Sequence, residues 1–139
     1  MLCAGSVRAK NAKNIMLKNL LDACVGALGF WSFGYGFAYG NRRGGNPFCG
    51  DSLFFLNKFE EVDTYHSWFF QFAFAATAAT IVSGSVAERC HMGAYVAYST
   101  ILTAWVYPVV VHWIWSSDGW LTNFKNDPIL GIGVIDFGE

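Results

Sequence analysis

Three long apolar stretches, separated by shorter polar ones, constrain this chain more than any other feature. They run from about Ile15 to Tyr39, from about Trp68 to Ala87 and from about Gly93 to Trp115. Wound as a helix at 1.5 Å per residue, each is long enough to cross a hydrocarbon layer of roughly 30 Å. A helix also satisfies its own backbone N–H and C=O groups, which lipid cannot do. Composition points the same way. Of 139 residues, 54% are hydrophobic, 18% aromatic and only 14% charged, too few to wet the surface of a small soluble domain. The expected fold class is an all-α membrane protein with three transmembrane helices.

Local signals refine each span. Lys18 and Asp22 interrupt only the first turns of the first span, one helical turn apart, where they can pair or reach back to the interface. Gly26, Gly29, Gly34, Gly36 and Gly40 alternate there with Phe30, Trp31, Phe33, Tyr35, Phe37 and Tyr39. Glycines let another helix approach closely, and the rings suit the headgroup layer. In the second span Ala73, Thr77, Thr80 and Gly84 recur at three- and four-residue spacing, a flat stripe for helix packing. Pro108 lies inside the third span, where a bundle tolerates the kink because neighbours satisfy the freed carbonyl.

The connections are polar. Arg42-Arg43-Gly44-Gly45-Asn46-Pro47 is a strong turn signal, followed by Lys58, Glu60, Glu61 and Asp63 in a loop outside the bilayer. Glu88-Arg89-Cys90-His91 is a tight link that makes the second and third spans antiparallel neighbours. A polar loop follows Ser116 as far as Pro128, and the closing run Ile129 to Phe137 is too short to span. Arg8, Lys10, Lys13, Lys18 and Arg89 share one side, with Arg42, Arg43, Lys58 and Lys125 opposite; the former lie closer to the helix ends, which places the N-terminus inside. Met1 and these early cations resemble a signal peptide superficially, but the apolar run is too long and lacks a small-residue cleavage site, so it reads as a retained span.

Other function classes find little support. A net charge of -1, dispersed in short polar stretches, gives no nucleic-acid footprint. Cys3, Cys24, Cys49 and Cys90 lack the spacing of a zinc or redox site and read as non-functional. With no HExxH and no ligand cluster at helical spacing, a membrane metal hydrolase is disfavoured; neither a cofactor nor a metal is expected, and the chain reads as a non-enzyme.

Several runs carry a resemblance. They are Ala4-Gly5-Ser6-Val7-Arg8-Ala9-Lys10-Asn11 with Asn14-Ile15-Met16-Leu17, then Phe33-Gly34-Tyr35-Gly36-Phe37-Ala38-Tyr39-Gly40. Phe72-Ala73-Phe74-Ala75-Ala76 follows, through Ser83-Gly84-Ser85-Val86-Ala87-Glu88-Arg89. Last come Tyr107-Pro108-Val109-Val110, His112-Trp113-Ile114-Trp115, Asp118-Gly119-Trp120 and Gly133-Val134-Ile135-Asp136-Phe137. In this order they resemble the ammonium transporter family of the plant and algal type. The resemblance implies part of an eleven-helix bundle around a narrow hydrophobic pore, assembled as a trimer, with ammonium or ammonia as substrate. It implies a multi-pass protein of the plasma membrane that takes part in nitrogen uptake. By position the chain matches the end of the family's first helix, its second to fourth helices and the start of the fifth, about 129–139. The family's paired pore histidines would lie beyond Glu139, so the chain reads as a fragment that does not conduct alone, from a truncated product or a misread frame.

The same resemblance nominates a site. Trp115 and Phe74 match the aromatic residues of the family's outer recruitment site, and Phe74 also matches the outer ring of the phenylalanine gate. Aromatic faces attract a weakly hydrated cation within about 6 Å, which suits the choice of ammonium over sodium and water. From spacing alone, a phenylalanine in such a helix is packing. Phe70 shares a helix face with Phe74, beside Gln71 at the entrance; Gln71 could bond an entering ion, though a bond to a neighbouring helix is its plainer role. Asp136 matches the family's carboxylate near the outer vestibule and is expected to support the site, or to cap the next helix, rather than to contact the ion. His66, His91 and His112 do not match the pore pair and read as interfacial or packing residues. The alternative to transport is a non-conducting membrane subunit that assembles with full-length transporters through its small-residue stripe.

Overall fold

The computed structural model describes residues 2–40, 46–57, 62–124 and 133–136. Outside them lie the turn signal at Arg42 to Gly45, the charges Lys58, Glu60, Glu61 and Lys125, and Pro128. The regular structure among the described residues is helical, apart from one isolated bridge between Thr122 and Val134. A short helix α1 (Leu2–Ser6) and a 3-10 turn (Ala9–Asn11) lead into α2 (Ala12–Gly29), which continues through a wide π-helical turn (Phe30–Gly34) into α3 (Tyr35–Tyr39). Next come a 3-10 turn (Phe54–Leu56) and α4 (Val62–Ser85). The last rod is α5 (Met92–Ile101), a second π-helical turn (Leu102–Val106) and α6 (Tyr107–Trp115).

Among the described residues two rods are long and apolar enough to cross a membrane, Ala9–Tyr39 and Met92–Trp115. Helix α4 has 24 residues and a length of about 36 Å. Of the expected further helix at about 129–139, residues 133–136 are not helical and the remainder lies outside the described residues.

Small residues decide how closely the rods approach. Gly26 and Gly29 of α2 face Thr103: a methyl added at Gly29 would stand 3.0 Å from the Thr103 hydroxyl, and one at Gly34 would stand 2.8 Å from the Thr103 carbonyl. The stripe that α4 buries is Ala75, Ala79 and Ser83, whereas Ala73, Thr77 and Gly84 of the expected packing stripe are exposed. Both faces of α4 carry small side chains, so spacing could not choose between them. The Thr77 and Thr80 hydroxyls turn back onto their own helix, at 2.8 Å and 2.7 Å from the Ala73 and Ala76 carbonyls. Around Ala75, an aromatic core gathers Phe30 and Tyr35, flanked by Trp68, Phe72, Tyr39 and Tyr107.

Polar groups fix the half nearer the 86–91 link. Asp22, almost wholly buried, accepts the Tyr95 phenol and the Ser99 hydroxyl, the latter at 2.8 Å, which ties α2 to α5. Lys18 sends its ammonium toward the Cys90 carbonyl at 3.5 Å and lies 5.0 Å over the Tyr95 ring. Both charges of the first span thus turn to the third rod, because burial makes each seek every available partner. Within that link, Glu88 in a left-handed turn accepts from the Arg8 backbone and guanidinium at 3.0 Å each and from Asn11 at 2.8 Å. The bonds from Arg8, then from Asn11, hold its carboxyl down to about 2. They bring the N-terminal cations and the 86–91 link to one side, the arrangement the charge pattern assumed.

Candidate functional site

At the opposite end, α4 and α6 diverge and leave a cavity of about 320 Å³, lined by Phe70, Gln71, Phe74, Tyr107, Val111, Trp115 and Asp136. All five residues nominated from the sequence border it, from two helices and the 133–136 segment. Phe70 and Phe74, one turn apart on α4, pack edge to face with ring centroids 5.0 Å apart. Trp115 is the last residue of α6: Ser116 leaves helical geometry at φ -83 and ψ 146, so the indole stands at the rim with 42% of its surface exposed. Phe74 sits deeper and is half-buried, with Gln71 beside it. From the rim inward the cavity presents an exposed ring first and a half-buried ring second.

Asp136 is exposed, at the end of a short extended segment pinned by a 2.9 Å bond from the Val134 amide to the Leu121 carbonyl. A carboxylate at the rim keeps its solvation while biasing the mouth toward positive charge, and does not bear the cost of burial at membrane depth.

The rim is held by side chains that bond to backbone. His112, fully buried, places its two ring nitrogens 2.8 Å from the Ala38 and Asn46 carbonyls, which joins α6 to α3 and to the segment that begins at Asn46. The Trp113 indole donates to the Phe48 carbonyl at 2.8 Å, and the Leu121 amide donates to the Trp113 carbonyl at 3.0 Å. His112 is thus a packing residue, as its sequence context suggested, while His66 and His91 are exposed near helix starts, where His91 accepts from the Gly93 amide.

Tyr107 and Val111 also line the cavity and were not singled out from the sequence. A signal existed, since they precede Trp115 in steps of four. A second cavity, of about 300 Å³ beside the 86–91 link, is bordered by Asn11, Lys18, Glu88 and His91. Glu88 is engaged by Arg8 and Asn11, Lys18 turns to the Cys90 carbonyl, and no phenyl or indole ring lines it, so the cavity between α4 and α6 is the better candidate.

Comparison with known proteins follows this geometry. The family model described as Ammonium Transporter Family matches residues 1–139. "Ammonium transporter 1 member 3" of Solanum lycopersicum is 51% identical over 138 residues, covering 99% of this chain and 29% of that protein. "Putative ammonium transporter 1" of Caenorhabditis elegans is 47% identical over 135 residues, 96% of this chain and 25% of that one. Among solved structures, a "Sensor Amt Protein" superposes with a TM-score of 0.78 at 38% identity, over 86% of this chain and 31% of that one. The chain therefore spans between a quarter and a third of the length of these relatives.

Proposed function

We propose, since this chain belongs to the Ammonium Transporter Family, that it forms the outer entrance of an ammonium-transporting pore. In this reading all three rods cross the bilayer, α4 included, with the N-terminus inside and the aromatic cavity at the outer mouth. The complete transporter is a trimer in the plasma membrane.

The chemistry follows from size and polarity. A cavity of about 320 Å³ holds far more than one bare cation, since a water molecule occupies roughly 30 Å³ of liquid. Ammonium therefore arrives with part of its hydration shell, and the rings replace the rest in steps. Trp115 offers a π face at the exposed rim, where a cation–π contact contributes about 0.5–1 kcal/mol; at the more enclosed Phe74 it rises toward about 2 kcal/mol. Sodium, more strongly hydrated, loses more on the same path. Gln71 supplies a hydrogen-bonding group between the rings, Phe70 flanks the entrance, and Asp136 attracts cations to the mouth without binding them. Beyond Phe74 lies an apolar stretch, so passage requires desolvation or loss of a proton.

The observation that carries this reading is the meeting of Phe70, Gln71, Phe74, Trp115 and Asp136 about one cavity. It is tested in the complete tomato relative, with these 139 residues replacing its matching stretch. Methylammonium uptake should weaken in Phe74→Ala and Trp115→Ala; unchanged uptake in both would reject the site. A second reading, a non-conducting subunit that joins full-length transporters, is favoured by the exposed Ala73, Thr77 and Gly84 on α4. Co-purification of the 139-residue chain with the intact relative would support it, and a stable isolated monomer would count against it.

A further inference from the structure

The third rod contains a feature that the recruitment site does not use directly. From Tyr95 to Trp115, the residues in steps of four are Tyr95, Ser99, Thr103, Tyr107, Val111 and Trp115. The first three are buried, against α2: Tyr95 and Ser99 bond Asp22, and Thr103 meets Gly26 and Gly29. The last three line the outer cavity. In an uninterrupted α-helix each step of four turns the side chain by about 40°, so the outer three would drift well round the rod. The residues continuing the line of Ser99 would instead be Val106 and Val110, seven and eleven further on. Here those two are exposed.

The difference is the π-helical turn at Leu102–Val106, whose closing bond runs from the Tyr107 amide to the Leu102 carbonyl. One extra residue in a turn takes back about 100° of rotation. Two observations explain why the wide turn persists. The Thr103 hydroxyl bonds the Ser99 carbonyl at 2.8 Å. And the turn is received by a second wide turn opposite, Phe30–Gly34, where Gly29 and Gly34 leave no side chain between the backbones. Pro108, which lacks an amide hydrogen, falls directly after the turn, so the rod resumes α geometry where a normal ladder bond would be missing in any case.

We infer that the Leu102–Val106 turn is a phase-setting device, and that Thr103, seated against Gly29 and Gly34, is a positioning residue: together they rotate the outer half of the rod so that Tyr107, Val111 and Trp115 face the cation entrance. The consequence for transport rests on the function proposed above; the rotation does not.

The test reads both separately. In the membrane-embedded chain with its four cysteines changed to serine, a short bifunctional thiol reagent should join Phe74→Cys to Val111→Cys at least fivefold more readily than to Val110→Cys. Deleting Ala104 removes the extra residue, so the rod can run on as a plain α-helix with its outer half in the same phase, and the preference should stay; inserting one alanine after Ala104 should reverse it, and loss of the preference on deletion overturns the inference. Should the deletion prevent accumulation, Thr103→Val decides: it should reduce the preference, Thr103→Ser should restore it, and an unchanged Thr103→Val pattern is equally fatal. In the tomato chimera the insertion should abolish saturable methylammonium uptake, whereas the deletion should keep it. A reversed cross-link with uptake intact would support the phase device and reject the recruitment site.

Discussion

Replacing Trp115 by leucine isolates the π face from the bulk of the side chain. Leucine remains apolar at the rim, so most of the lost interaction is the quadrupole's attraction for a cation. Trp115 is 42% exposed, which puts the contact at the solvated end of the range, about 0.5–1 kcal/mol. At 1.4 kcal/mol per factor of ten, that raises the half-saturating methylammonium concentration about two- to fivefold. Trp115→Phe, which keeps a weaker π face, should fall between. The maximal rate should change little, since the site collects ions before the dry passage, and Phe74→Leu should cost more because its ring is more enclosed. Concentration-dependent uptake of labelled methylammonium in the tomato chimera gives both parameters. Equal half-saturation in Trp115→Leu and the parent would refute recruitment by the ring, as would a loss confined to the maximal rate.

Three further outcomes follow from the packing. Asp22→Ala strands the Tyr95 and Ser99 hydroxyls in a buried site, and hydrogen bonds to a charged group contribute about 1.5–3 kcal/mol each; unfolding in detergent should occur several degrees lower, with Asp22→Asn less affected. Gly34→Ala drives a methyl against the Phe30 ring and the Thr103 carbonyl, an overpacking that costs about 1–3 kcal/mol and should show as a lower melting temperature than Gly84→Ala, which meets open space. Glu88, with its pKa lowered to about 2, contributes stability that is present above its unfolded value near 4.5 and is lost as pH falls toward 2; between pH 5 and 3 the parent should lose more thermal stability than Glu88→Gln.

What could be read from the sequence divides along physical lines. Helical rods were legible because length and apolarity act locally: the expected third span, from about Gly93 to Trp115, nearly coincides with the rod Met92–Trp115. The wide turns were not, since apolar residues occur on every side of these rods and a shift of phase leaves no break in the pattern; Pro108 hinted only at a kink. Lys18 and Asp22 stand one turn apart and suggested each other, yet Asp22 finds Tyr95 and Ser99, more than seventy residues away. Likewise α4 buries Ala75 and Ala79 rather than Ala73 and Thr77, a choice set by which face Phe30 and Tyr98 occupy. The site residues Phe74, Trp115 and Asp136 came from resemblance, not from spacing. Tyr107 and Val111 share the Trp115 face by their spacing of four, but that this face meets the cavity depends on the wide turn, which no local propensity encodes.

The central claim, that α4 crosses the bilayer beside the other two rods with its ring-bearing end outward, is tested most directly by single-cysteine labelling in sealed cells with the native cysteines removed. An impermeant maleimide should label Phe70→Cys from outside, leave Ile81→Cys unlabelled in the lipid, and reach Arg89→Cys only after permeabilisation. Labelling of Ile81→Cys from the water phase, or of Arg89→Cys in sealed cells, would contradict the account.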